Sequence, residues 1–375
     1  MNDLLVIGAG PAGCVASILL ARAGLPVTLI EQHRFPRDKV CGECLSAVGI
    51  DVLDRLRLSA PLQLLQPAPL QRTILFAPSG EVARLNLPRP MLGISRLMLD
   101  QFLLDAAIAA GVKILQPARC EGTGEQVRVR DLQTNQILEL SPAYVLVADG
   151  KGSARPTGDF GIKSHFANVD SLRDAIELFG LRGHYGGIAP IERGQWNLAF
   201  SVPQARIQQH KNDLDGMMKQ IFAENVALKE QMGPAHRTSD WLAAPLPRFG
   251  VNIRDTGVPP VRTSSMAGTA MSQARVIPIG NAAAAIEPIG GEGMGLAMCS
   301  AELAAERLIT SIRAGTEFDA TALRREYQQL WRRRSIGCRL AGMAVSSPIF
   351  CRAFFPFLGG ADNVSGLAMC AMGKS

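Results

Sequence analysis

The sequence predicts an α/β fold: a Rossmann-like dinucleotide-binding domain, an inserted antiparallel β-sheet domain and a C-terminal helical region. Three observations carry that prediction. The chain opens with DLLVIGAGPAGCVASILLARAGLPVTLIEQ, which reads strand, glycine turn, helix, strand. A second strand, glycine loop and helix pattern, ARVIPIGNAAAAIEPIGGEGMGLAM, returns late in the chain. Between the two, residues 160 to 247 are dominated by strand patterns such as FGIKSHF and GQWNLAFSVP.

The opening unit has a stated duty for each glycine. Gly8 permits the tight turn, Gly10 lets a pyrophosphate approach the backbone, and Gly13 lets the helix pack closely on the strand. Pro11 and Ala12 complete the turn, and free amides at the helix start suit a phosphate. Glu31, followed by Gln32, closes the second strand where a carboxylate accepts hydrogen bonds from ribose hydroxyls and repels a 2′-phosphate.

After this unit comes a charged, glycine-containing loop, HRFPRDKVCGECLS, leading into a helix over residues 46 to 58. TILFAPSGEVARLNLP predicts two strands joined at Pro78, Ser79 and Gly80, and ISRLMLDQFLLDAAIAAGV an amphipathic helix. Three short strands and the apolar run YVLVADG span residues 118 to 150. A single polar helix is expected over residues 204 to 222, an exposed insertion over 252 to 272, and core-capping helices in the apolar tail from Cys338. The expected division is 1–70, 90–158 and 272–335 for the discontinuous dinucleotide domain, 71–89 and 159–271 for a substrate domain, and 336–375 for the helical tail.

Of the 375 residues 47% are hydrophobic, ample for a buried core, while no apolar run approaches the length that spans a bilayer. Eight scattered cysteines without a secretory signal point to reduced thiols in the cytoplasm. Neither the Cys41/Cys44 pair nor the five histidines have zinc-ligand spacing, so no metal is expected. The net charge of +6 is dispersed apart from Arg332, Arg333 and Arg334, which argues against nucleic acid and leaves a peripheral contact with anionic lipid open. Lys163 and His165 share one face of a strand; a partly exposed strand pair is the favoured reading, a cavity lining the alternative.

The chain resembles the FAD-dependent oxidoreductases of the aromatic hydroxylase type (group A flavin monooxygenases), within them the geranylgeranyl reductase and flavin halogenase-like branch. GAGPAG with Glu31, VLVADGKGSARP and VIPIGNAAAAIEPIGGEGMGLAM resemble the three family motifs. The resemblance implies a GR2-type FAD-binding domain. Asp149 and Gly150, with Ser153 and Arg155 following, would lie near the pyrophosphate; Gly280, Asn281, Pro288, Gly293, Met294 and Gly295 would lie against the flavin. Asn281 replaces the family's aspartate, keeping an acceptor and removing a charge. PRDKVCGECLS and SRLMLDQFLL resemble segments that contribute Arg37, Lys39, Cys41 and Gly42 as flavin neighbours and Arg96 and Gln101 as FAD contacts. Surface ion pairing is the competing reading for the charged members. Cys41-x-x-Cys44 also has the spacing of a redox dithiol, though the resemblance accounts for Cys41 without that role.

The same resemblance implies FAD reduced transiently by NAD(P)H, or reduced flavin supplied by a partner reductase. The expected activity is a monooxygenase hydroxylating or epoxidising an aromatic, polyketide-like or lipophilic small molecule. The alternative is a geranylgeranyl reductase-like alkene reductase; a halogenase is disfavoured, because GQWNLAFSVP holds only Trp196 of the family's Trp-x-Trp-x-Ile-Pro motif. A flavin-binding protein that acts only with a carrier protein or other partner is the remaining class. No catalytic acid or base is assigned.

Overall fold

The computed structural model describes residues 4–123, 127–150, 156–181, 183–211, 213–247 and 276–358. Ser153, Arg155, the 252–272 insertion and the tail beyond 358 lie outside them. Two sheets organise the chain. The first contains β1 (Leu4–Ile7), β2 (Val27–Ile30), β6 (Lys113–Leu115), β10 (Tyr144–Val147) and β17 (Val276–Pro278), in the order β17-β10-β1-β2-β6. Every pairing is parallel. Both β1 and β2 are buried along their whole length, as continuous apolar runs covered on both faces must be. Helices α1 (Pro11–Arg22), α4 (Arg96–Ala109) and α8 (Gly293–Ala314) pack together beside this sheet, and α2 (Ala47–Arg55) packs on α8, followed by the short α3 (Ser59–Gln63).

The second sheet combines β3 (Cys44–Leu45), β4 (Ala68–Phe76), β5 (Val82–Gly93), β11 (Pro156–Ala167), β12 (Ala175–Leu181), β13 (His184–Pro190), β14 (Trp196–Pro203), β15 (His236–Arg237) and β16 (Leu242–Pro247). It is mixed where an antiparallel sheet is expected, because β4 and β12 pair in parallel. The β4–β5 hairpin and the β12–β14 meander come from separate stretches of chain, so no tight turn constrains their relative direction. A third, small sheet is the β7 (Ala118–Thr123), β8 (Val127–Asp131), β9 (Ile137–Leu140) meander.

The polar helix expected over 204–222 is two helices, α5 (Gln204–Gln209) and α6 (Leu214–Ala223), with α7 (Val226–Gln231) after them. Lys211 turns left-handed (φ 53), and the Asp213 side chain accepts from the Gly216 amide at 2.9 Å, starting a new helix. Helix α9 (Ala320–Val345) runs straight across the expected division at 335/336 and is followed by α10 (Pro348–Leu358). Among the described residues no helix is long and apolar enough to cross a membrane.

Candidate functional site

The turn between β1 and α1 forms an electropositive cradle. Gly8 is at φ +100, and a Cβ there would stand 2.5 Å from the Ala148 carbonyl oxygen; one on Gly13 would stand 1.9 Å from that of Gly8. Both positions admit only glycine. Helix α1 starts with Pro11 at its first turn, has no side-chain cap and carries no acid there, so no capping side chain satisfies its first amides and no acid offsets its positive dipole end. A Cβ on Gly10 would lie 3.9 Å from both Arg96 Nη2 and Lys39 Nζ, which places two cations over the open side of the turn.

Those cations are held differently. Ser95 caps α4, accepting from Met98 N at 3.2 Å, while its own amide donates to Glu192 at 2.8 Å. The Arg96 amide donates to Glu43 Oε1 at 2.7 Å, and its guanidinium forks onto buried Asp100 at 2.8 and 2.6 Å and reaches the Cys41 thiol. Lys39 Nζ has no carboxylate within ion-pair distance among the described residues. Burial, with the nearby Arg96 charge, pulls Lys39 down to about 8. Arg37 joins them; burial lowers its pKa, and its Nε is buried with no hydrogen-bond partner.

Around this cradle Glu31 is buried and accepts from the amides of Ala9 (3.0 Å) and His33 (2.8 Å), with Gln32 exposed beside it. Asp149 precedes Gly150 (φ +81); its Oδ1 is buried without a partner, and burial raises its pKa to about 6. The late glycine loop closes on the same turn. A Cβ on Gly280 would be 2.9 Å from Ala12 Cβ, and the Gly280 amide donates to Ser300 Oγ at 2.8 Å. Asn281 is half-buried in the short helical turn Gly280–Ala282; Pro288 opens a second turn and is exposed. Gly293, buried Met294 and Gly295 begin α8, which also lacks a side-chain cap. Gln101 is the outlier: its amide donates to Asp105 one helical turn on, at 2.7 Å.

Uncapped helix amides, three converging cations and the orphaned polar atoms of Arg37 and Asp149 are the complement of a diphosphate joined to polyhydroxyl chains. FAD has that chemistry, and the residues present fit it.

A cavity of about 100 Å³ lies between the 40–44 loop, the Pro288–Gly291 turn and the second sheet. Its walls are mainly apolar, with Val40, Leu178, Ile188, Phe200 and Ile289 facing Cys41 and Cys44, which form no disulfide. Asn197 on β14 ties the loop to the sheet through the Cys41 carbonyl at 3.1 Å. Tyr185, in the same wall, donates its hydroxyl hydrogen bond to Glu287. Burial pushes the Tyr185 phenol well above its usual range and raises the Glu287 carboxyl.

Behind the loop sits a buried polar cluster. Lys163 is fully buried and pairs with Asp38 (2.5 Å) and Glu43, and His165 Nε2 meets the other Glu43 oxygen at 2.7 Å. The partly exposed strand pair favoured from sequence is therefore corrected: β11 is covered by the 38–43 loop, which supplies the carboxylates that two-residue alternation cannot reveal. Asp38, Glu43 and His165 bring three metal-ligand atoms within 4.8 Å of one another, but the Lys163 ammonium already pairs with two of these residues. Glu43 adopts a left-handed backbone (φ 57), a cost of roughly 1–2 kcal/mol for a residue with a Cβ, held by these contacts.

Residues 1–177 match the family described as "FAD binding domain". The chain is an FAD-dependent oxidoreductase. The flavoprotein is 26% identical over 338 residues to the menaquinone reductase of Mycolicibacterium smegmatis, covering 82% of this chain and 76% of that one. It superposes on the flavin-dependent brominase Bmp2 with a TM-score of 0.80 at 18% identity, covering 100% and 93% of the two chains. With P. aeruginosa PqsL in complex with 2-aminobenzoylacetate the TM-score is 0.74 at 19% identity, covering 95% and 99%. At these identities the two structures speak for the fold.

Sequence reasoning named the cradle of the flavoprotein but missed the groups that aim it. Glu43, Asp100 and Glu192 each fix Arg96 or the helix that bears it. Only Asp100 left a signal, its four-residue spacing from Arg96 on one helix face. Tyr185 and Glu287 are separated by about a hundred residues of chain and left none.

Proposed function

We propose that this flavoprotein reduces a carbon–carbon double bond of a lipophilic small molecule bound in the cavity between the 40–44 loop and the second sheet. The observation that carries the reading is the composition of that cavity, mainly apolar walls with the Tyr185 and Ser201 hydroxyls and the Cys41 and Cys44 thiols among them, next to a cradle suited to FAD. The menaquinone reductase likeness, extending over four fifths of the chain, points the same way.

In this reading Gly8, Gly10, Gly13, Arg37, Lys39 and Arg96 hold the diphosphate of FAD, Glu31 its adenosine ribose, and Asp149, Gly280 and Asn281 the ribityl side. When bound and reduced, FAD supplies a hydride, its electrons coming from NAD(P)H or a partner reductase. The chain's own residues orient the substrate, exclude water and supply a proton. Oxygen insertion, the first expectation from sequence, needs the same dry cavity and is the reading the experiment must separate.

The purified holoprotein, reduced anaerobically with NADH or NADPH, is mixed with lipophilic alkenes or with oxygenated buffer. Reoxidation by the alkene with a product two hydrogens heavier supports reduction. A product one oxygen heavier, formed only with oxygen, would replace it by monooxygenation.

We further infer that α9 and α10 meet an anionic lipid surface. Ile336, Leu340 and Met343 form an exposed stripe on α9, continued by Ile349 on α10. Residues 327–360 carry arginines and no acid. Leu340→Glu is expected to lower retention on phosphatidylserine vesicles about fivefold, from the loss of ~1 kcal/mol of apolar burial. Equal retention on neutral vesicles would remove the charge argument.

A further inference from the structure

The chemistry of Tyr185 in the cavity wall, hydrogen-bonded to Glu287 behind it, narrows the substrate. Tyr185 lies on β13 with 9% of its surface exposed, in the wall of the cavity. Its hydroxyl donates to Oε1 of Glu287, the residue immediately before Pro288. Pro288 and Ile289 form the facing wall of the same cavity. Glu287 is half-buried and so stands between solvent and the phenol. Helix α9 closes the pair from outside, where a Cβ on Gly342 would lie 3.5 Å from Glu287 Cγ and 3.7 Å from Tyr185 Cε1.

We propose that Tyr185 is the proton donor of this cavity, recharged by Glu287, and that the double bond reduced there is conjugated to a carbonyl group. The proposal rests on the double-bond reduction argued above and names its substrate class. Conjugation follows from the donor. A neutral phenol is too weak an acid to protonate an isolated alkene, but it readily protonates the enolate that forms once a hydride has added to an unsaturated carbonyl compound.

The proton and electron count closes. The β-carbon accepts a hydride, both electrons coming from reduced FAD, and the carbon–carbon π bond opens. The α-carbon takes the Tyr185 hydroxyl proton, the phenolate takes the proton of the Glu287 carboxyl, and the carboxylate is reprotonated from solvent. Two C–H bonds form, the substrate is reduced and FAD ends oxidised.

The surroundings bias both groups toward their protonated forms. The groups facing the pair are Asp159 from β11, Arg339 and Cys338 from α9, and the Ile289 backbone. Burial raises Glu287 most; Asp159 adds to the rise, while the Tyr185 hydrogen bond and Arg339 oppose it. Burial raises Tyr185 most, and the neighbouring Glu287, its hydrogen-bond partner, adds to the rise.

The test uses flavin-loaded wild type, Tyr185→Phe and Glu287→Gln at matched flavin content. Infrared difference spectra at neutral pH should show a protonated carboxyl band that vanishes in Glu287→Gln and shifts in Tyr185→Phe. Its absence from wild type overturns the relay whatever the activity. Anaerobic reduced protein in D₂O is then mixed with a long-chain enone or the matching isolated alkene. Wild type should reduce the enone, with one deuterium at the α-carbon, and Tyr185→Phe should be slowed about 100-fold. Tyr185→Phe at the wild-type rate overturns the donor alone. Reduction of the isolated alkene in preference to the enone overturns the conjugation. Reduction of neither by wild type overturns the double-bond reading and this proposal with it.

Discussion

Two lysines serve the same loop, half-buried Lys39 from within it and fully buried Lys163 from β11 behind it, and are treated in opposite ways. Lys163 is enclosed completely, yet its ammonium touches the carboxylates of Asp38 and Glu43. Lys39 stands over Gly10 among Arg37 and Arg96, with burial and Arg96 lowering it to about 8. The first arrangement is complete within the chain and holds the loop against the second sheet. In the second, Lys39 Nζ has no carboxylate at ion-pair distance among the described residues, which suits an anion from outside. A buried cation with its counter-charges present is architecture; one without them marks a binding site.

The largest expected effect comes from breaking the complete cluster. Lys163→Met leaves two carboxylates facing each other without a cation, and urea unfolding should show about 3–5 kcal/mol lost. A loss below about 1 kcal/mol would mean that solvent reaches the cluster and that the contrast with Lys39 is overdrawn. Lys39→Met should do the reverse. The flavin-free protein keeps or gains stability, since a poorly compensated charge is removed, while FAD affinity by fluorescence titration falls at least tenfold, from ~1.5–3 kcal/mol of charge-assisted hydrogen bonding. Equal affinity in that variant would place the diphosphate elsewhere.

The pH dependence sharpens the comparison further. Lys39 at about 8 in the flavin-free protein returns toward the ordinary lysine value of about 10.4 once a diphosphate faces it. Binding therefore takes up a proton between those values, and FAD affinity should fall by up to about tenfold per pH unit above pH 8. Lys39→Met should abolish that slope. In the flavin-free protein the folded state releases this proton at lower pH than the unfolded state, so the Lys39 contribution makes stability rise with pH through the same window. The smallest effect belongs to Gln101, whose amide is already bonded to Asp105 on the helix surface. Gln101→Ala should change stability by no more than about 0.5 kcal/mol and FAD affinity less than threefold.

Much of the cradle was readable because its requirements are local. Gly8, Gly13 and Glu31 belong to one continuous strand–turn–helix–strand unit, in which register alone puts the acid at the strand end and the glycines at the turn. The parallel β1–β2 pair and the return of β17 to the same sheet follow from similar local patterns. The direction of β12 against β4 did not follow, because no hairpin links them, and neither did the break between α5 and α6, which hangs on the Asp213 cap.

The sequence by itself determined the strand–turn–helix–strand unit, with its glycines at the turn and Glu31 at the strand end, and the charged loop that carries Lys39 and Cys41. Only the tertiary structure decided which charges have partners. Glu43 gathers Lys163 and His165 from a distant strand and the Arg96 amide from a distant helix, and Tyr185 finds Glu287 beside the cavity. Local sequence sets backbone conformation over a few residues. The free energy of a buried charge or proton depends on every group within a few ångströms, and the chain assembles those groups only when it folds.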